Sequence, residues 1–287
     1  MGLPDERFQR SVEVALAAPV ARSFQRLPWK ELELAWAESV LDVADPASRA
    51  EAARPLTFLS RGLDLLGSSR KEMYHLTHEV IYASDFGLRR FEPPRPLAEV
   101  LRDVDGAIVR TLDDDDFDLC AELLLVAPYA GAPWSPTALF ALTAVMDVVE
   151  RFGALPSMTF HPTSSTATTA AERRLYFLEE SYHTQYVLGF LMLATLLPGT
   201  TPPVPPPGPP PVATLPARLS QSRAFWETTS AVPPCDVLVD VAVLRAYAQR
   251  DFGLLGAVLD AQPGPASRVV EQAADTLVRL SSYSRAR

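Results

Sequence analysis

Along most of the chain, apolar residues return at steps of three and four, the period of a helix that lays one face on a core. The spacing predicts a helix from Trp29 to Ala44 behind Pro28, and a second over roughly Ala47 to Leu66 with a break near Pro55. Ser68-Ser69 offers an N-cap to a third helix, which Gly87 is placed to end. Phe91 to Pro96 (FEPPRP) is a rigid connector that cannot continue a helix. Beyond it the pattern predicts helices over Leu97 to Leu112, Asp116 to Val126 and Thr137 to Phe152, with a turn-rich loop from Pro128 to Pro136. Gly153 to Thr169 lacks periodicity, is rich in Ser and Thr, and reads as a lid or mobile loop.

The longest predicted helix runs from about Ala170 to Leu196. It is apolar on nearly all sides after Tyr186, which predicts a central position. From Pro198 to Pro216 ten positions are proline, so an extended polyproline segment is expected there. Helical spacing resumes over Leu219 to Thr229, Asp236 to Gln249, Leu254 to Asp260 and Ala266 to Ser282. No stretch keeps the alternation of a strand. The expected class is all-α.

Two segments match without gaps. Val104 to Pro128 aligns with Val239 to Pro263 at Val-Asp, Ala, Arg, Asp-Phe, Leu, Leu and Pro, each segment reading as helix, short turn, helix. Repeated helical hairpins predict an α/α toroid-like or solenoid-like array, in which each unit buries its apolar face against the next. On that reading residues 1–287 form a single helical domain with a Pro-rich excursion at 198–216. The alternative divides the chain into a main helical domain, 1–197, and a small C-terminal bundle, 217–287. Within the match Asp116-Phe117 recurs as Asp251-Phe252, which marks the pair as structural. Glu122 is replaced by Ala257, which marks its carboxylate as an addition to the scaffold.

Charge narrows the partners. With a net charge of -9 and no basic stripe, nucleic acid is not expected, because phosphate binding needs clustered Lys and Arg. The longest apolar run, Tyr186 to Leu197, is about a dozen residues against roughly 20 needed to cross a bilayer, so no membrane span is expected. The N-terminus lacks the apolar core of a signal peptide, and the two cysteines, Cys120 and Cys235, are far apart, so a reducing cytoplasm is expected. The oligomeric state is not legible.

The chemistry-bearing residues concentrate in Glu72 to Gly87, EMYHLTHEVIYASDFG. At about 100° per residue His75, His78, Tyr82 and Asp85 fall on one stripe of the third helix. Far along the chain His183 sits in the longest helix, while Glu122 lies within the apolar run AELLLV, where an isolated charge is costly. Imidazoles and carboxylates that meet in an apolar interior form an N/O site for zinc or iron. We expect His78, Glu122 and His183 as metal ligands with His75 beside them, and Tyr82 and Asp85 as catalytic or ligand-orienting groups. Glu72 to His75 and Glu180 to His183 also fit Glu-x-x-His, the pair that di-iron bundles use together with single glutamates such as Glu33 or Glu38. The Asp113 to Asp116 run resembles the acid motif of class II terpene cyclases, yet its place at an interhelical turn favours capping. His161 is an isolated loop histidine.

Tyr74-x-x-Thr77-His78, Asp85-Phe86-Gly87, Glu122-Leu-Leu and Tyr182-His183-Thr184 resemble the motifs of an uncharacterised helical family encoded in actinobacterial biosynthetic clusters. The second motif reads Tyr-His-Thr-Gln here where the family has Tyr-His-Thr-Thr. The resemblance covers roughly residues 60 to 200 and implies a role in specialised metabolism on a small-molecule or peptide substrate. The expectation is therefore a metal-dependent biosynthetic enzyme. The competing classes are an iron oxidase or oxygenase built on the Glu-x-x-His pairs and a non-catalytic helical scaffold that binds a peptide or partner protein.

Overall fold

The structure is a computed structural model that describes residues 5–18, 26–42, 46–160, 169–196, 199–203, 232–261 and 266–285. Among the described residues every regular element is helical. The N-terminal part contains α1 (Glu6–Ala17), α2 (Pro28–Leu41), α3 (Pro46–Ala53), a 3-10 turn at Arg54–Leu56 and the one-turn α4 (Phe58–Arg61). The middle contains α5 (Arg70–Ala83), α6 (Leu97–Asp113), α7 (Phe117–Leu124), the short α8 (Val126–Tyr129), α9 (Pro136–Phe152) and α10 (Ala170–Leu196). The C-terminal part adds α11 (Cys235–Ala248), α12 (Phe252–Asp260) and α13 (Arg268–Arg285). No described helix is long and apolar enough to cross a membrane.

The centre of the packing is α7, which lies against α5, α6, α9 and α10. All of Leu119, Cys120, Ala121, Leu123 and Leu124 are buried, so this two-turn helix is covered on every side. The long α10 is not central as its composition suggests. It buries one line of residues, Ser181, Thr184, Val187, Leu191 and Ala194, and leaves the opposite line in solvent. All-round apolarity shows that a helix has a face to bury without showing how many faces this copy covers.

The ends of α5 are written in its sequence. The Ser69 hydroxyl caps the Glu72 amide, and Glu72 reaches back to the Ser69 amide at 2.7 Å, closing a capping box. The helix stops at Ala83, sooner than Gly87, because Asp85, Phe86 and Gly87 all take left-handed backbone angles, at φ 52, 56 and 81°. Asp85 therefore leaves the stripe of His75, His78 and Tyr82 and belongs to the turn.

The two matched segments share local geometry. Asp116 and Asp251 sit at φ -85° and cap the amides of Leu119 and Leu254 at 3.2 and 2.9 Å. The preceding residues, Asp115 and Arg250, are both left-handed, at φ 54 and 57°. Asp105 and Asp240 are equivalent in the match, and each accepts a hydrogen bond from a serine, Ser135 and Ser267, that also bonds an amide of the helix after it. The C-terminal helices join the rest through α6: Arg102 meets Glu271, Arg245 meets Asp113 and Arg268 meets Asp103. The expected helix at Leu219 to Thr229, the polyproline stretch beyond Pro203, and His161 lie outside the described residues.

Candidate metal centre

Glu122 projects from α7 into the place where α5, α7 and α10 converge and is 3% exposed. A carboxylate there is costly unless its oxygens find partners. Oε2 accepts the Thr77 hydroxyl at 2.6 Å and lies 3.6 Å from His78 Nδ1, and Oε1 lies 3.8 Å from His183 Nε2. Burial, followed by the opposing Thr77 hydrogen bond and the nearby Asp118 charge, holds the Glu122 pKa above the ordinary carboxylate range.

Asp118 stands one turn earlier on α7. The i, i+4 spacing puts it on the same face as Glu122. Its Oδ1 is 3.0 Å from His183 Nδ1, and Arg70 Nη2 donates to Oδ2 at 3.4 Å. Burial opposes the charge on Asp118, but the hydrogen bond and charge of His183, with Arg70 behind, hold its pKa below the usual value. The reciprocal pull of Asp118 raises the His183 pKa. His183 is about half exposed, so the group has a side open to solvent. One potential ligand atom from each of Asp118, Glu122 and His183 lies within 4.8 Å of the others. Zinc takes carboxylate oxygens and imidazole nitrogens at about 2.0–2.2 Å.

His78 flanks this group through Glu122. Its ring lies 3.9 Å from the Tyr74 ring and 5.1 Å from that of Trp29, and this aromatic surround lowers its pKa to about 4. The imidazole is therefore neutral at pH 7. Nδ1 sits 3.0 Å from the Tyr74 carbonyl, so the tautomer inferred from this contact carries its proton there and leaves Nε2 with the lone pair.

The structure thus brings His78, Glu122 and His183 together and adds Asp118, which was hidden at the end of an acid run. The other expected residues turn to other partners, although the Tyr82 ring lies 5.9 Å from that of His78. His75 packs against Trp29 and Phe58, and its buried Nε2 has no hydrogen-bond partner among the described residues. Tyr82 donates to Glu33 at 3.1 Å, and Glu33 also takes Lys30 at 2.6 Å. Asp85 accepts the Trp36 indole N–H at 2.6 Å and faces Arg89. Among the glutamates of the di-iron reading, Glu72 is held in the capping box and Glu38 in an ion pair with Arg49. Asp116 of the acid run caps α7 and takes Arg70 at 2.5 Å, as its turn position suggests. A cleft of about 340 Å3 between α2, α3 and residues 89–94 reaches Tyr82 but is not lined by Glu122 or His183.

Residues 1–193 match the family described as a domain of unknown function, DUF6895. The chain belongs to that family. Asp118, Glu122, His183 and the whole of α5 fall inside the matched residues, whereas α11, α12 and α13 lie beyond them. No curated protein and no solved structure matches the chain.

Proposed function

We propose that Asp118, Glu122 and His183 hold a divalent metal, zinc or iron, in a metal-dependent enzyme, with His78 completing or orienting the site. The observation that carries this reading is the buried Glu122 carboxylate between two imidazoles and a second carboxylate, a donor set of the hard-to-borderline kind that these ions take. An ion there offsets the cost of the buried charge. It also supplies Lewis acidity toward a carbonyl, or a bound water of lowered pKa. The remaining groups have positioning parts to play: Thr77 fixes Glu122, and Arg70 with His183 fixes Asp118. The half-exposed His183 edge is the way in for substrate. The substrate class proposed is a small molecule or peptide of specialised metabolism, on the strength of the motif resemblance, in an actinobacterial cytoplasm.

The shared capping geometry of Asp116 and Asp251, and the paired Asp105–Ser135 and Asp240–Ser267 contacts, support reading α6–α7 and α11–α12 as two copies of one hairpin in a single α/α array. In the second copy Gly253 and Ala257 take the places of Asp118 and Glu122. The test is elemental analysis of protein purified without added metal and dialysed, then titrated with zinc and with ferrous iron. Stoichiometric binding that is lost in Glu122→Ala and His183→Ala is expected. Absence of binding in wild type rejects the reading.

A further inference from the structure

The outward face of α10 is apolar for most of its length. Leu175, Leu178, Tyr182, Tyr186, Phe190, Leu193 and Leu196 are between 46 and 79% exposed. At 100° per residue all of them fall within about 60° of one line along the helix. From Thr184 to Leu196 the helix carries no charged residue on any side. Exposed Glu179 falls on the same face near its N-terminal end, and from Tyr182 onward the stripe is an uninterrupted apolar surface, which marks an interaction surface rather than scattered exposed side chains.

Gly189 lies within the stripe. A glycine inside a helix costs roughly 1 kcal/mol relative to alanine. A Cβ built there meets nothing within 4 Å among the described residues, so packing against them does not require the glycine. What a missing side chain allows at that place is close approach of a second backbone from outside.

We infer that this face of α10 is the contact between two copies of the chain, crossing near Gly189. A two-fold contact sets one patch against itself, so it favours a patch free of charge, and the C-terminal half of α10 meets that condition. At about 200 Å2 for a large side chain, the exposed fractions of Tyr182, Tyr186, Phe190, Leu193 and Leu196 come to on the order of 600 Å2 per copy, the small end of the standard interface range. The inference stands on the shape and composition of α10 alone, and holds whether or not the Asp118 group binds metal.

Sedimentation velocity and light scattering of the full chain across the micromolar range test it. Wild type is expected at twice the chain mass of 31.4 kDa, and more strongly so as salt rises, because salt screens the net charge of -9 on each copy. Leu193→Glu and Tyr186→Lys are expected at the single-chain mass with unchanged far-UV circular dichroism. Gly189→Ala should weaken association by tenfold or more while leaving the melting temperature of the dissociated chain unchanged or higher. A wild-type monomer over this range overturns the inference, whatever else then covers the face. So does a dimer that survives Leu193→Glu, Tyr186→Lys and Gly189→Ala alike.

Discussion

The Thr77 hydroxyl lies 2.6 Å from Glu122 Oε2, joining α5 to α7 at the most deeply buried acid of the cluster. Removing a partner from a buried carboxylate costs more than the net value of the bond, because the acceptor is left without water. Thr77→Val, which keeps the shape, should lower unfolding free energy by about 1–3 kcal/mol in urea titrations. Glu122→Gln, which keeps an acceptor for Thr77, should cost less than Glu122→Ala.

Metal content should follow Asp118, Glu122 and His183 and be indifferent to His75. His78→Ala should weaken affinity by about 10–100-fold, the effect of losing an orienting partner, unless its Nε2 is itself a ligand, in which case binding falls to the level of His183→Ala. Competition with a chelator, followed by elemental analysis, measures both.

Burial raises the Asp240 carboxyl from 3.8 to about 7, against the Ser267 hydrogen bond, with Asp236 and Asp105 charges adding to the rise. The folded state thus binds this proton more tightly than the unfolded chain. Its stabilisation is fully present below about pH 4 and is lost as pH rises through about 7. Asp240→Asn should remove that slope, up to about 1.4 kcal/mol per pH unit in the window. The variant should therefore gain on wild type as pH increases in denaturant titrations. Asp105, raised to about 6, titrates in the same sense in both proteins.

Asp116→Ala and Asp251→Ala each remove an N-cap, a loss of about 1 kcal/mol. Asp116 also takes Arg70 while 3% of its side chain is exposed, so its replacement should cost clearly more. Matched thermal melts of the two variants give the difference directly.

Gly87 has φ 81°, and a Cβ there would come 2.9 Å from Tyr129 Cδ1. Gly87→Ala should cost about 1–3 kcal/mol through backbone strain alone, with the clash in addition. The readout is a lower melting temperature with helical content retained.

Much of the helix order is legible in the sequence. The bounds of α10 emerge as Ala170–Leu196, because long periodicity is a strong signal and Thr169 with Glu172 closes its first turn. Other features are not legible for physical reasons. The stripe through Asp85 fails because two non-glycine residues, Asp85 and Phe86, take left-handed angles that no local pattern announces. The helix α1 goes unread, being mostly exposed, with Asp5 as its cap. Asp118 is masked by the acids that precede it, although its distance of four residues from Glu122 is the mark of a shared helix face. His75 and His78 share a stripe and the Trp29 ring, but only His78 reaches Glu122.

The places that Asp118 and Glu122 hold on α7 are taken on α12 by Gly253 and Ala257, behind an equivalent capping aspartate and an equivalent left-handed position. A backbone that forms with or without the acids leaves chemistry free to come and go while architecture persists. On the proposed metal site, a relative that has lost both carboxylates would keep its outline and hold no ion. These two positions are therefore where relatives equipped for the proposed ion differ from those that are not.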